Sequence, residues 1–317
     1  MGCLAIASLL GIGITNSAHA AAIVSNGTIQ LGVDNFGQLN VYGETPSLSG
    51  TTFVGLRYLP TGAEATAPGC LCEGWGVADA ASLVTGYANN DWLTSGGTSG
   101  INLLSFTSTA TEATSVVDIG GIFKVTHHYT PSTATANLYE AKVTIENISG
   151  STVADTRYRR VMDWDIEPTP FSEYVTIAGT TIPSALLFAS NNGFASANPL
   201  SGPSDLGYTG DFVDAGPSDH GALFDFGFGS LVAGESKEFS IFYGAAGNEL
   251  DALAALATVD AKIYSLGQSD PATGGPNTFI FAFKGVEVPE PGTLAGLLAV
   301  SGFGLLSRKK RQSNTNS

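Results

Sequence analysis

Tyr139-Glu140-Ala141-Lys142-Val143-Thr144-Ile145-Glu146 alternates apolar and polar side chains and stops at the turn Asn147-Ile148-Ser149-Gly150. Successive side chains on a strand point to opposite faces, so this period of two puts Ala141, Val143 and Ile145 on one side and Lys142, Thr144 and Glu146 on the other. The stretch reads as a half-buried strand with one face on a core.

Residues 122–129 alternate in the same way, as do the short runs 28–33 and 39–42 around the hairpin-like turn Asp34-Asn35-Phe36-Gly37. Residues 239–243 and 278–283 read as late strands bounded by glycines and prolines. One helix interrupts this series. Asn248 is a good cap, Glu249 and Asp251 put acid in the first turn, and Leu250, Leu253, Leu256 and Ile263 mark an apolar stripe closed by Gly267. The expected fold is mainly β: a large antiparallel β-sandwich with one amphipathic helix near the C-terminal end. No fixed-period repeat and no Pro/Ser-rich linker divides residues 21–287, which are expected to form one β-rich domain.

With 43% hydrophobic and 13% charged residues in 317, the chain can fill a core and is not of disordered composition. Residues 21–290 carry nine basic groups against 28 acidic ones, a balance of −19. Such a body excludes nucleic acid as a partner, since phosphates need a basic face. It is compatible with divalent cations and with solubility outside a cell.

The two ends read as addresses. Residues 3–14 form an apolar run of signal-peptide length, and Ala18-His19-Ala20 supplies the small-x-small pattern that signal peptidase cuts, so residues 1–20 are expected to be removed. No Lys or Arg precedes the apolar run, the one departure from usual signal composition. At the other end stand Pro289-Glu290-Pro291, an apolar segment over about residues 292–307, and the cluster Arg308-Lys309-Lys310-Arg311. That segment is short for a membrane span, and the basic cluster would stay cytoplasmic with the body outside.

Residues 288–312 resemble the PEP-CTERM sorting signal of exopolysaccharide-producing Gram-negative bacteria. The resemblance implies recognition by an exosortase in the inner membrane, transient anchoring, removal of the tail, and delivery to the cell surface or extracellular matrix. The body also resembles other exported bacterial proteins of unknown function that carry this tail. The similarity lies in Tyr158-Arg159-Arg160-Val161-Met162-Asp163-Trp164-Asp165 and Gly221-Ala222-Leu223-Phe224-Asp225-Phe226-Gly227-Phe228-Gly229, and it implies no catalytic residues.

Chemistry concentrates in residues 157–167. Read as a strand, Asp163, Asp165 and Glu167 share a face about 6.6 Å apart, with Arg157 and Arg159 on the same side and Met162, Trp164 and Ile166 opposite. The leading reading is a solvated outer face with arginine partners. The alternatives are a calcium site completed by loop oxygens and a paired-carboxylate glycosidase site. One strand supplies too few convergent oxygens to encircle an ion, so no cofactor is expected, with calcium the candidate if there is one. Asp205, Asp211, Asp214, Asp219 and Asp225 follow no EF-hand spacing.

Cys70 and Cys72 are either a local disulfide or free thiols. His127 and His128 point to opposite faces of one strand, His220 stands alone, and no Gly-x-Ser-x-Gly elbow is present. Trp75, Trp92 and Trp164 are core residues or a sugar-stacking platform. The expected function is that of a non-enzymatic exported surface or matrix protein associated with exopolysaccharide. The alternative is a secreted carbohydrate-binding or carbohydrate-hydrolysing β-sandwich.

Overall fold

The alternation at 139–146 is realised over a longer strand, Leu138–Asn147, in which Ala141, Val143 and Ile145 are buried and Lys142 is exposed. The computed structural model describes residues 21–91, 93, 96–270 and 277–287. Among the described residues strands cover 52% and helix 4%, so the class is mainly β, with several antiparallel sheets and a single helix near the C-terminal end.

Leu138–Asn147 lies inside a nine-stranded antiparallel sheet, between Ser236–Ala246 and Phe123–Pro131. Outward from Phe123–Pro131 follow Ala113–Ile119 and Asn102–Ser108. On the other side of Ser236–Ala246 come Thr278–Lys284, Ile263–Gln268, Glu173–Ala178 and Phe212–Ser218. A second, five-stranded sheet runs in the order Leu186–Ser190, His220–Leu231, Val153–Trp164, Glu73–Asp79, Val84–Asn89. A four-stranded sheet (Ala22–Ser25, Ile29–Val33, Leu56–Tyr58, Ala63–Glu64) and the pair Val41–Tyr42 and Phe53–Val54 complete the fold.

The two large sheets face each other across one aromatic core. Phe224 and Phe226 of the smaller sheet meet Phe281 and Phe283 of the larger at centroid distances of 5.6 and 5.0 Å, and Tyr158 meets Phe239 at 4.8 Å. Such offset and edge-on pairs add to the burial of large apolar area. Val24, Ile29, Leu31 and Leu56 of the four-stranded sheet join the same core.

The turn at residues 34–37 is present, with Gly37 N–H donating to Asp34 O at 2.9 Å and a bridge between Val33 and Leu39. It does not form an extended hairpin, because residues 29–33 pair instead with 22–25 and 56–58.

The helix begins as expected. Asn248 Oδ1 accepts from Asp251 N–H at 2.9 Å, filling one of the helix's orphan donors. It ends much earlier, spanning Glu249–Val259, with Asp260 in the left-handed conformation as its cap. Ile263 and Gly267 lie in the next strand. The buried side is Ala252, Ala255, Leu256 and Val259, while Leu250 is 77% exposed and Leu253 partly so. Small side chains let the helix lie close on the outer face of the nine-stranded sheet, against Leu138, Phe242 and Ile280. Gly267 answers to packing rather than to a helix end: a Cβ there would come within 2.7 Å of the Trp164 ring.

Candidate functional site

Strand Val153–Trp164 is central in its sheet and covered on both sides, which changes what its charged side chains must do. Its inward face carries Arg160 into the core, where Nε donates to Glu73 Oε1 and Nη2 donates to the Tyr129 hydroxyl at 3.2 Å and to Gly37 O at 3.3 Å. Tyr243 OH also donates to Glu73 Oε1, at 3.0 Å, and Leu39 N–H to Glu73 Oε2 at 2.6 Å. Burial works against the Arg160 charge, but Glu73 and the surrounding tyrosines overcome it and hold the guanidinium well above its ordinary pKa. Burial likewise pushes Tyr129 up to about 12, although Arg160 draws it the other way.

The outward face is roofed by the loop after Ser190. Val161 and Leu223 pack against Ala195 and Ala197. Arg159 makes a bidentate pair with Asp225 and donates to Ser196 O and Gly202 O. Arg157 pairs with Asp155.

The acids at the end of this strand are not solvated. Asp163, Asp165 and Glu167 are all buried, which overturns the solvated-face expectation. Past Trp164 the chain keeps pairing with the 64–72 segment: Asp163, Asp165 and Glu167 N–H donate to Cys72, Ala65 and Glu64 carbonyls at 2.8–3.0 Å. This pairing leaves no arginine for the acids, since Arg157, Arg159 and Arg160 are each engaged by another carboxylate.

Glu167 separates from the other two. Its carboxylate accepts from the backbone N–H groups of Leu48, Ser49 and Glu64 at 2.9–3.1 Å and from the hydroxyls of Ser47 and Ser49, so it ties down the 47–49 loop. Asp163 and Asp165 are instead joined by Asp219, which sits between the strands Phe212–Ser218 and His220–Leu231. One oxygen from each of the three lies within 4.8 Å of the others. Asp219 is the exposed member. Glu173, buried at the start of Glu173–Ala178, lies close enough for its charge to be felt by Asp163. The expected trio of Asp163, Asp165 and Glu167 is therefore not the one that converges: Asp219 takes the place of Glu167, with Glu173 nearby.

The oxygens of this cluster are short of partners. Asp163 Oδ1, both oxygens of Asp165 and Glu173 Oε2 are buried without a hydrogen bond. Asp163 Oδ2 lies 3.5 Å from Cys70 Sγ, but that sulfur is bonded to Cys72 and has no hydrogen to donate. Desolvation raises all four acids, and neighbouring carboxylates add to it at Asp163, Asp165 and Glu173. Asp163 is pushed well above the usual carboxylate range, Asp165 to about 7 and Glu173 to about 8, while burial raises Asp219. The backbone closes in tightly. A Cβ at Gly69 would stand 2.7 Å from Asp165 Cγ, and one at Gly193 2.7 Å from Asp163 Oδ1.

The other candidate residues fall elsewhere. Cys70 and Cys72 form a disulfide, so their proximity to Asp91 offers no thiolate for a metal. His127 is buried with Nε2 3.2 Å from Tyr158 OH, and His128 faces solvent near Glu112. His220 is buried, accepts at Nδ1 from Asn191 Nδ2 at 3.1 Å, and is lowered in pKa by burial. Trp75 and Trp164 are fully buried, their indole N–H groups donating to Phe36 O and Ser265 Oγ, so neither is a sugar platform; Trp92 lies outside the described residues. Asp205 and Asp211 accept from loop amides and Asp214 pairs with Thr176, leaving Asp219 as the member of that stretch that reaches the cluster. Ala18, Ala20, Pro289, Glu290, Pro291 and residues 308–311 lie outside the described residues. Among the described residues no helix is long and apolar enough to cross a membrane.

Sequence reasoning missed Asp219 and Glu173 because strand register brings them to Asp163, and register is not written in local pattern. Asp163 sits opposite Gly221, two residues from Asp219, and Glu173 sits opposite Ser218. No family model matches the chain, and no curated protein does either.

Proposed function

We propose that this chain is an exported, non-enzymatic surface or extracellular-matrix protein, sorted by an exosortase through its C-terminal tail and associated with exopolysaccharide. The observation that supports export is the Cys70–Cys72 disulfide within the body. Disulfides persist in oxidising compartments and are rare in the reducing cytosol, so the body suits the route that the end segments spell out. An all-antiparallel sandwich with an acidic surface is a reasonable scaffold for that setting.

The alternative, a carbohydrate hydrolase, draws support from Asp165 and Glu173, whose raised pKa values would suit a general acid. Burial argues against it. Asp163 and Asp165 are sealed under Gly69 and Gly193, whereas a glycosidic bond must reach both carboxyls.

The sorting part is tested by changing the motif. Pro289→Ala/Glu290→Ala/Pro291→Ala, expressed in an exosortase-containing host, should leave the chain in the inner-membrane fraction while the unaltered chain reaches the surface. Equal surface amounts of the two would contradict exosortase sorting.

A further inference from the structure

We infer that Asp163, Asp165 and Asp219, with Glu173 beside them, form a calcium-binding site at the end of the 153–164 strand. Three independent features of the chain meet there.

The first is convergence. Two ligand oxygens of one calcium ion, each about 2.4 Å from it, can stand at most about 4.8 Å apart. One oxygen from each of the three aspartates meets that limit with both others, and the three come from two separate parts of the chain. The second is unmet bonding capacity. Asp163 and Asp165 are 1% and 0% exposed, and three of their four oxygens have no hydrogen-bond partner. The fourth lies 3.5 Å from a disulfide sulfur that has no hydrogen to donate. Glu173 Oε2, also buried and unpartnered, belongs to the residue that pairs with Ser218, next to Asp219. Buried polar atoms are nearly always satisfied, and an orphaned set of one sign calls for a ligand of the other.

The third is charge without compensation. Four acids gather where the strand's arginines are turned to Asp155, Asp225 and Glu73. A cation answers all three features at once.

The donor chemistry selects the ion. Every converging atom is a hard carboxylate oxygen, and the sulfurs nearby are oxidised, which disfavours zinc and copper. Calcium accepts irregular coordination by six to eight oxygens, so waters on the exposed Asp219 side can complete its shell. Magnesium demands a tighter octahedron. Gly69 and Gly193 fit the same reading, since a side chain at either would collide with the aspartates.

The test uses the full chain, dialysed against EGTA and then given calcium chloride or magnesium chloride while its thermal midpoint is followed. At a hundredfold excess over Kd, calcium should raise the midpoint by roughly 5–10 °C, and magnesium at the same concentration by much less. Asp163→Asn/Asp165→Asn should fold, because it relieves repulsion without changing shape, and should lose the calcium response. Glu167→Gln removes an acid outside the site and should keep it. Native mass spectrometry should show one calcium per chain in the unaltered protein and none in the double variant. No shift in the unaltered chain, a shift that survives the double substitution, or a magnesium shift equal to that of calcium would each overturn the assignment.

Discussion

Arg160→Met should lower the stability of the folded chain by about 3–5 kcal/mol, the loss that follows when one member of a buried ion pair is removed. The charge left behind is Glu73, fully buried, which would keep only Tyr243 OH and Leu39 N–H as donors. Tyr129 would lose its donor from the guanidinium as well. Glu73→Gln/Arg160→Met removes both charges, leaves an acceptor for Leu39 N–H, and should recover roughly 1–3 kcal/mol of the loss. Chemical denaturation of the two variants and the parent measures this directly. A single variant within about 1 kcal/mol of the parent would mean that Arg160 reaches water and that the core is not closed around it.

The second large effect is acid sensitivity through His127. Its ring lies 4.3 Å from Trp75 and within reach of Tyr158, with Tyr129 and the Arg160–Glu73 pair around it. Burial, and then the Arg160 charge, hold its pKa well below 6.5. A histidine depressed in the folded state stays neutral while the unfolded chain takes up a proton, so stability is full above the unfolded pKa and falls as pH drops below it. Between pH 7.5 and 5 this amounts to at most about 2 kcal/mol, the protonation free energy of the unfolded imidazole alone. His220, also lowered, contributes in the same direction. The His127→Gln variant should have the shallower pH dependence over that interval. Parallel pH profiles for variant and parent would show that His127 titrates normally in the folded protein.

These two residues show where reading the sequence succeeds and where it stops. Alternation at 122–129 and 139–146 places the strands and the inward face correctly, because period two is a local property. It also puts His127 and His128 on opposite faces. Nothing local says that Glu73 will lie beside Arg160, 87 residues away, since that depends on how two strands come into register. The same holds for Asp163 and Asp165. Their shared face follows from spacing, but their burial follows from the 64–72 segment and the loop after Ser190 closing over them. The helix illustrates a third case. Asn248 and its acidic first turn mark the start correctly, yet the leucine stripe misleads. The nine-stranded sheet takes the small face of Ala252 and Ala255 and leaves Leu250 in water.

Glu167 is buried for a different reason. By spacing it belongs with Asp163 and Asp165, and by structure it is a loop anchor, with Ser47, Leu48, Ser49 and Glu64 all donating to it. A carboxylate that gathers several backbone N–H donors is satisfied without a cation, whereas Asp165 has the Gly69 N–H beside it and no donor in good hydrogen-bond geometry. That contrast between neighbours two residues apart separates a structural acid from one available to a ligand.

Export and processing at both ends underlie the functional proposal, and intact-mass analysis of the protein recovered from the cell surface tests them most directly. The expected species begins near Ala21 and lacks Arg308, Lys309, Lys310 and Arg311, with Cys70 and Cys72 still linked. Surface material that retains the full C-terminus, basic cluster included, would contradict exosortase processing and make the tail a permanent anchor.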